Sequence, residues 1–202
     1  MSPTMKDKTP LAVLGAGPAG YTGAFLAADL GVETVLIDPE PNPGGVCLYR
    51  GCIPSKALLH VAHLIGQAKE ARQWGVTFGE ASVDMERLRG WKQEVVDRLT
   101  GGLGTLSRHR KIRTLQGRAR FLDARRLEIV ATGGETHMLS FDNAIVATGS
   151  AAVRPPNLFP DSRSGLVMDS TAALELESIP ERLLVVGGGY IGLELEIGRA
   201  HV

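Results

Sequence analysis

The chain has 202 residues, 44% of them hydrophobic, and its 22 Lys and Arg are balanced by 22 Asp and Glu. Zero formal net charge with that apolar share predicts a folded globular core and excludes both a disordered charged tail and a generally basic nucleic-acid binder. Two cysteines, Cys47 and Cys52, exclude a disulfide-rich scaffold and a four-Cys zinc site, so any chemistry they do they do as a pair.

Taken in chain order, the first ten residues are polar and carry Lys6 and Lys8. They have neither the apolar stretch of a secretory signal nor the Arg-rich amphipathic pattern of a transit peptide, which predicts a cytoplasmic protein. No run approaches the roughly 18–20 apolar residues of a membrane span. Residues 11–14 read as a short strand meeting Gly15, and 18–30 as a helix of small residues ended by Gly31. Residues 32–37 form a continuous apolar run, as expected of a parallel strand buried on both faces. Together these make a βαβ unit.

A turn-rich stretch at 39–45 leads into the cysteine segment, and helices are predicted over 55–73 and 82–100. Short alternating pieces at 118–121, 126–130 and 137–141 then predict an antiparallel meander. Residues 144–146 read as a buried strand that stops at Thr148-Gly149-Ser150. After a Pro-rich stretch at 151–160, residues 183–186 open a second strand, turn and helix at Gly187.

The turn Gly15-Ala16-Gly17-Pro18-Ala19-Gly20 has the spacing G-x-G-x-x-G. Such a pattern wants glycine for a tight turn, for close approach of backbone N–H groups to a pyrophosphate, and for close helix-to-sheet packing. In a chain this rich in glycine the bare spacing arises by chance about 0.4 times. What lifts it above chance is its place between a strand and a helix, with Asp38 closing the next strand where a carboxylate can accept hydrogen bonds from a ribose. Gly187-Gly188-Gly189-Tyr190-Ile191-Gly192 repeats the device, which implies a second nucleotide site. The acid that would read its ribose is expected about 20 residues past Gly192, beyond Val202, so NAD and NADP are not distinguished.

Cys47 and Cys52 sit in Gly44-Gly45-Val46-Cys47-Leu48-Tyr49-Arg50-Gly51-Cys52-Ile53-Pro54-Ser55-Lys56. As a structural staple, a disulfide across so short a loop would restrain the unfolded chain by only about 2 kcal/mol. Pro54 marks a helix start, which places Cys52 near a helix N-terminus, where the dipole favours thiolate. Dithiol exchange needs such a sulfur, although two small buried hydrophobes would fit the same residues.

These motifs, with 144–150, 169–174 and 187–194, resemble the pyridine nucleotide-disulfide oxidoreductases over residues 11–195. Residues 53–60 are more similar to the lipoamide branch than to the glutathione or mercuric reductase branches, while Tyr49-Arg50 stands where Asn-Val is commoner. The resemblance implies an α/β fold: a Rossmann-like FAD-binding domain over 1–150, with a helical insertion at about 55–105 and a β-meander at about 111–141. A linker at 151–180 and the start of a Rossmann-like NAD-binding domain at 181–202 follow. It implies that Gly15, Gly17, Pro18, Ala19, Gly20, Asp38 and Pro39 bind the ADP part of FAD. Gly44, Gly45, Val46, Cys47, Cys52, Lys56, Gly117, Ala119, Thr148, Gly149 and Ser150 would complete the flavin site. NAD is assigned to Gly187, Gly189, Tyr190, Ile191, Gly192 and Glu194, with Tyr190 placed to gate the nicotinamide pocket.

By the same resemblance Cys47 is the outer sulfur that exchanges with a dithiol substrate, Cys52 the inner sulfur facing the flavin, and Glu194 the acid paired with Lys56. The implied activity is oxidation of dihydrolipoamide to lipoamide with reduction of NAD⁺. The implied partners are the lipoyl-bearing acyltransferase of 2-oxo acid dehydrogenase complexes and a second copy of the chain in a homodimer. The family's catalytic His belongs to a C-terminal interface domain, so the chain is expected to be an N-terminal piece with little turnover of its own. Residues 196–202 do not resemble the family's helix and are expected to be foreign to it. The other readings are a related flavin disulfide reductase and a non-catalytic nucleotide-binding piece. His60 and His63 are expected on a helix surface rather than on a metal, the basic run at 108–113 on a solvated face, and Trp74 and Trp91 in packing.

Overall fold

A computed structural model describes the backbone of residues 8–153 and 166–200, with side chains up to Glu196. The middle of the expected linker, 154–165, and the last two residues of the tail lie outside the described residues. In chain order the elements are β1 (Lys8–Leu14), α1 (Pro18–Asp29), β2 (Thr34–Asp38), α2 (Gly45–Arg50), α3 (Cys52–Glu70) and a 3-10 turn (Ala71–Trp74). They continue as α4 (Met85–His109), β3 (Arg113–Asp123), β4 (Arg126–Ala131), β5 (Thr136–Val146), α5 (Ser170–Glu175) and α6 (Tyr190–Ala200). Two compact units result: residues 1–49 with 98–150, and residues 50–97 with 151–202.

In the first unit the five strands close a ring in sequence order. β1 pairs in parallel with β2 and β5, and the front of β3 pairs in parallel with β2. Beyond Gln116, β3 turns to antiparallel pairing with β4, which pairs with the front of β5. The meander and the parallel layer are therefore one sheet, because β3 and β5, 11 residues each, belong to both. The expected pieces at 118–121, 137–141 and 144–146 are segments of these longer strands.

Residue alternation explains the two kinds of sequence pattern. Ala12, Leu14, Val35, Ile37, Leu127, Ile129, Leu139 and Phe141 point into the ring. Leu11, Val13 and Leu36 point the other way, onto Ala24 of α1 and Ile112. β1 and β2 are covered on both faces and read as unbroken apolar runs, whereas β4 is buried on one face only and alternates. The expectation that residues 144–146 are buried is corrected: Val146 is 63% exposed, and Ile145 alone of the three packs against the outer cluster.

Two helices differ from expectation for local reasons. α4 runs through Gly101, Gly102 and Gly104 instead of stopping at Thr100, and ends only where Lys111 takes a left-handed conformation (φ 57°). Each mid-helix glycine costs about 1 kcal/mol, yet Gly104 lets the helix lie against Asn42, whose side chain occupies the place of a Cβ. The cysteine segment is helical but not continuous: a break at Gly51 separates α2 from α3, which begins at Cys52 rather than at 55.

The second unit consists of α3, the 3-10 turn, the front of α4, α5 and α6. Residues 183–186 are not a strand. Among the described residues no strand pairs with them, and Leu184 and Val186 are exposed, so the run has no ladder to join. Trp74 is also exposed rather than packed. A lysine is buried instead: Lys92, 5% exposed, donates to the Leu174 carbonyl at 2.7 Å, and Arg89 Nη1 donates to the Leu176 carbonyl at 3.1 Å. These two side chains take one carbonyl at the C-terminal end of α5 and that of its cap, Leu176, which is left-handed (φ 53°).

Candidate nucleotide turns and acid–lysine pair

In the first unit, the glycine turn at 15–20 is fastened on both sides. Gly15 N–H donates to Ile37 O and Ala147 N–H to Leu14 O, both at 2.8 Å, which fixes the turn between β2 and the end of β5. Ala16 N–H donates to Asp38 Oδ2 at 2.6 Å, and Ala16 O accepts from Gly44 N–H at 2.8 Å. The side chain missing at Gly15 leaves room for Ala147 O, and the one missing at Gly20 leaves room for Gly15 O. Both glycines are thus demanded by packing. Gly17 differs: a Cβ there would meet only Gly45 Cα, at 3.7 Å, and no side chain caps the α1 N-terminus behind it. Pro18 holds the first helical position without an N–H of its own, so the N–H groups of Ala19 and Gly20 open the helix. An uncapped N-terminus flanked by backbone without side chains suits a pyrophosphate, and these residues fit the ADP part of a dinucleotide.

Asp38 does more than the sequence suggested. Besides Ala16 it accepts from Glu40 N–H at 2.9 Å, so one carboxylate pins the glycine turn and starts the next loop. The loop itself is held by Tyr49, whose hydroxyl donates to Asn42 O at 3.1 Å and is pushed above the usual tyrosine range mainly by burial. The aromatic ring at this uncommon Tyr lies beside Gly44, where a Cβ would come within 3.1 Å of it. Pro39 O accepts from Gln116 Nε2 at 3.0 Å, and Gly117 follows at the point where β3 changes partner, with Val130 O and Ala131 filling the place of its side chain. Ala119 packs against the ring interior. Thr148, Gly149 and Ser150 are exposed, with Thr148 Cα next to Gly15. Val46 is exposed and Cys47, on α2, is half-buried.

In the second unit Cys52 is the first residue of α3 after the cap Gly51 and is exposed. One turn on, Ser55 Oγ donates to Glu194 Oε1 at 2.8 Å and Lys56 Nζ to the same oxygen at 3.1 Å. The Ser55 hydroxyl, and after it the Lys56 ammonium, hold the Glu194 carboxyl below the usual glutamate range. The second glycine turn repeats one contact of the first. Gly187 is left-handed (φ 112°), and a Cβ on Gly192 would meet Gly187 O at 2.6 Å, as one on Gly20 would meet Gly15 O. Gly189 has open space beside it, Tyr190 and Ile191 are exposed at the start of α6, and these residues fit a second nucleotide. Ser55 and Lys92 went unnoticed in the sequence. Lys92 had a signal, since it falls between Leu88 and Val96 on the face that α4 buries. His60 and His63 are exposed, and among the described residues no three His, Cys, Asp or Glu gather as a metal site.

A β-ring with a fastened glycine turn, a cysteine on each of two successive helices and a second glycine turn ahead of a helix define the class as a dinucleotide-binding disulfide oxidoreductase fold. Residues 9–197 match the family described as pyridine nucleotide-disulphide oxidoreductase, and the chain belongs to that family. It is 47% identical over 188 residues, 93% of its length, to the dihydrolipoyl dehydrogenase of Vibrio cholerae. It is 42% identical over 194 residues to the dihydrolipoyl dehydrogenase of Geobacillus stearothermophilus. Among solved structures, a Cu(II) complex of a mutant of the HOCl-induced flavoprotein disulfide reductase RclA from Escherichia coli matches with a TM-score of 0.79 and 29% identity, over 97% of this chain and 41% of that one. The chain spans 39% of the Vibrio relative and 40% of the Geobacillus relative.

Proposed function

We propose that the chain is the flavin- and dithiol-handling part of a dihydrolipoyl dehydrogenase, which oxidises protein-bound dihydrolipoyl groups and passes the electrons through FAD to NAD⁺. The observation that carries this reading is the 47% identity to relatives of that name across 93% of the chain, cysteine segment included. The turn at Gly15, Gly17, Pro18, Ala19 and Gly20 would hold the pyrophosphate of FAD, with Asp38 and Pro39 at the ribose. Gly44, Gly45, Lys56, Gly117 and Thr148 to Ser150 would hold the rest of the flavin, while Gly187, Gly189, Tyr190, Ile191 and Gly192 would hold NAD. When bound, the flavin supplies a two-electron acceptor and the nicotinamide the final hydride acceptor.

The protein's own steps are thiol–disulfide exchange. A substrate thiolate attacks Cys47 Sγ of a Cys47–Cys52 disulfide, the S–S bond breaks, and Cys52 leaves as a thiolate at the positive end of α3. The second substrate thiol, losing its proton to a base, attacks the mixed disulfide and expels Cys47. One cyclic disulfide leaves, and the Cys47–Cys52 pair, now two separate sulfurs, holds the two electrons between them. An exposed Cys52 and half-buried Cys47 on adjoining helices are open to such exchange. Partners of this reading are the lipoyl-bearing acyltransferase of 2-oxo acid dehydrogenase complexes and a second copy of the chain, and its compartment is the cytoplasm. Among the described residues no helix is long and apolar enough to cross a membrane.

The test is to add FAD to the purified chain. A yellow protein is expected, with a long-wavelength absorbance band on two-electron reduction that disappears in Cys52→Ser. A chain that stays colourless at high flavin concentration overturns the reading for this polypeptide.

A further inference from the structure

Glu194 receives two donors on one oxygen, and they differ in kind. Ser55 is buried, at 8% exposure, on the first turn of α3, while the Lys56 side chain is 63% exposed. A serine inside a helix ordinarily turns its hydroxyl back to the carbonyl four residues earlier, here Gly51 O. In this chain Gly51 O takes the Ser55 backbone N–H at 3.0 Å, and the hydroxyl points away from the helix to Glu194 Oε1. A short, buried hydroxyl has one torsion to fix, whereas an exposed lysine has four and its ion pair is screened by water. Ser55 is therefore the donor that can hold the carboxylate in place.

We propose that Ser55 is the positioning residue of the Lys56–Glu194 pair: its hydroxyl sets the place and rotation of the Glu194 carboxylate on α6, and Lys56 closes onto a carboxylate already held. The proposal rests on the reading that this pair serves the flavin site, and it assigns the fixing of the Glu194 carboxylate to a residue that has no redox role. Other acids lining the same cavity of about 440 Å³ are Glu175 of α5 and Glu177 just beyond it. Lys56 of α3 is the charged group that acts directly on Glu194. The first turn of α3 adds its positive end to the same side.

The experiment follows Glu194 itself. In the full chain labelled with carboxyl-¹³C glutamate and with no flavin added, the Glu194 resonance is assigned by Glu194→Gln and followed through an acid titration. Ser55→Ala is expected to raise the Glu194 pKa, and to raise it further than Lys56→Met does. Ser55→Thr, which keeps the hydroxyl, is expected to return it to the starting value. Should Ser55→Ala not fold, Ser55→Thr and Ser55→Val form a second pair, equal in volume and differing in the hydroxyl. The proposal is overturned if loss of the hydroxyl leaves the Glu194 titration in place, or moves it less than Lys56→Met does. The functional reading stands or falls separately: a chain that binds no FAD yet shows this order keeps Ser55 in its role and loses the flavin assignment.

Discussion

Gly17 and Gly45 meet backbone to backbone, the first in the turn after β1 and the second at the start of the cysteine helix α2. A Cβ on Gly45 would overlap Gly17 Cα, and Gly45 is itself left-handed (φ 58°). Gly45→Ala therefore meets two penalties at once, strain and overlap. Backbone strain of this kind costs about 1–3 kcal/mol. The expected result is a stability loss in that range by urea unfolding, together with at least a tenfold loss of FAD affinity by fluorescence titration. Gly31→Ala is the control: it has a similar positive φ (82°) and open space around it, so it should lose stability and spare flavin binding.

Asp38 supplies the second prediction. It accepts from two backbone N–H groups, and hydrogen bonds to a charged acceptor contribute about 1.5–3 kcal/mol each. Asp38→Ala leaves Ala16 N–H and Glu40 N–H without this acceptor, so the flavin-free chain should lose about 2 kcal/mol or more. Urea midpoints measured without and with FAD separate the roles. A variant as stable as the parent when flavin-free would show that Asp38 acts on ligand alone.

What the sequence made legible follows from the range of each cause. Gly15 and Gly20 were readable because their reason, a carbonyl in the place of the Cβ, lies within a few residues or at the end of the adjoining strand. The outward faces of β1 and β2 were readable because burial on both sides leaves an unbroken apolar run. The ring closure was not, since nothing local says that β3 changes from a parallel to an antiparallel partner at Gly117. The hydroxyl of Ser55 was equally silent, because its acceptor lies 139 positions away on α6. Residues 183–186 show the converse: apolar alone, they read as a strand, but a strand also needs a partner.

Glu194 gives a pH dependence with a definite sign. Its carboxyl is held below the usual glutamate range by Ser55 and then Lys56, so the unfolded chain takes up the proton at a higher pH than the folded one. The contribution of the Glu194 contacts to stability is then complete above the ordinary glutamate pKa. It is lost as the pH falls through the depressed folded value. The gap in urea midpoint between the parent chain and Glu194→Gln should be widest near neutrality and close on acidification. A gap independent of pH would mean that the carboxylate charge adds nothing beyond its shape.

Lys92 is a buried cation of the second unit and tests how α5 is held. Its ammonium donates to Leu174 O at 2.7 Å and lies 3.8 Å from the exposed Glu175 carboxylate. Loss of a charged donor to a buried carbonyl costs about 2 kcal/mol, and the nearby Arg89 reaches Leu176 O rather than Leu174 O. Lys92→Met fills the same space without the donor. It should lower stability by about that amount and raise hydrogen exchange at the amides of Ala173, which opens α5 on Asp169 O, and of Leu176, which closes it on Ala173 O. Glu175→Gln removes the partner that is 61% exposed and should change neither, because an exposed carboxylate at that distance is largely screened. If Glu175→Gln loosens α5 as much as Lys92→Met does, the ion pair and not the carbonyl contact holds the helix.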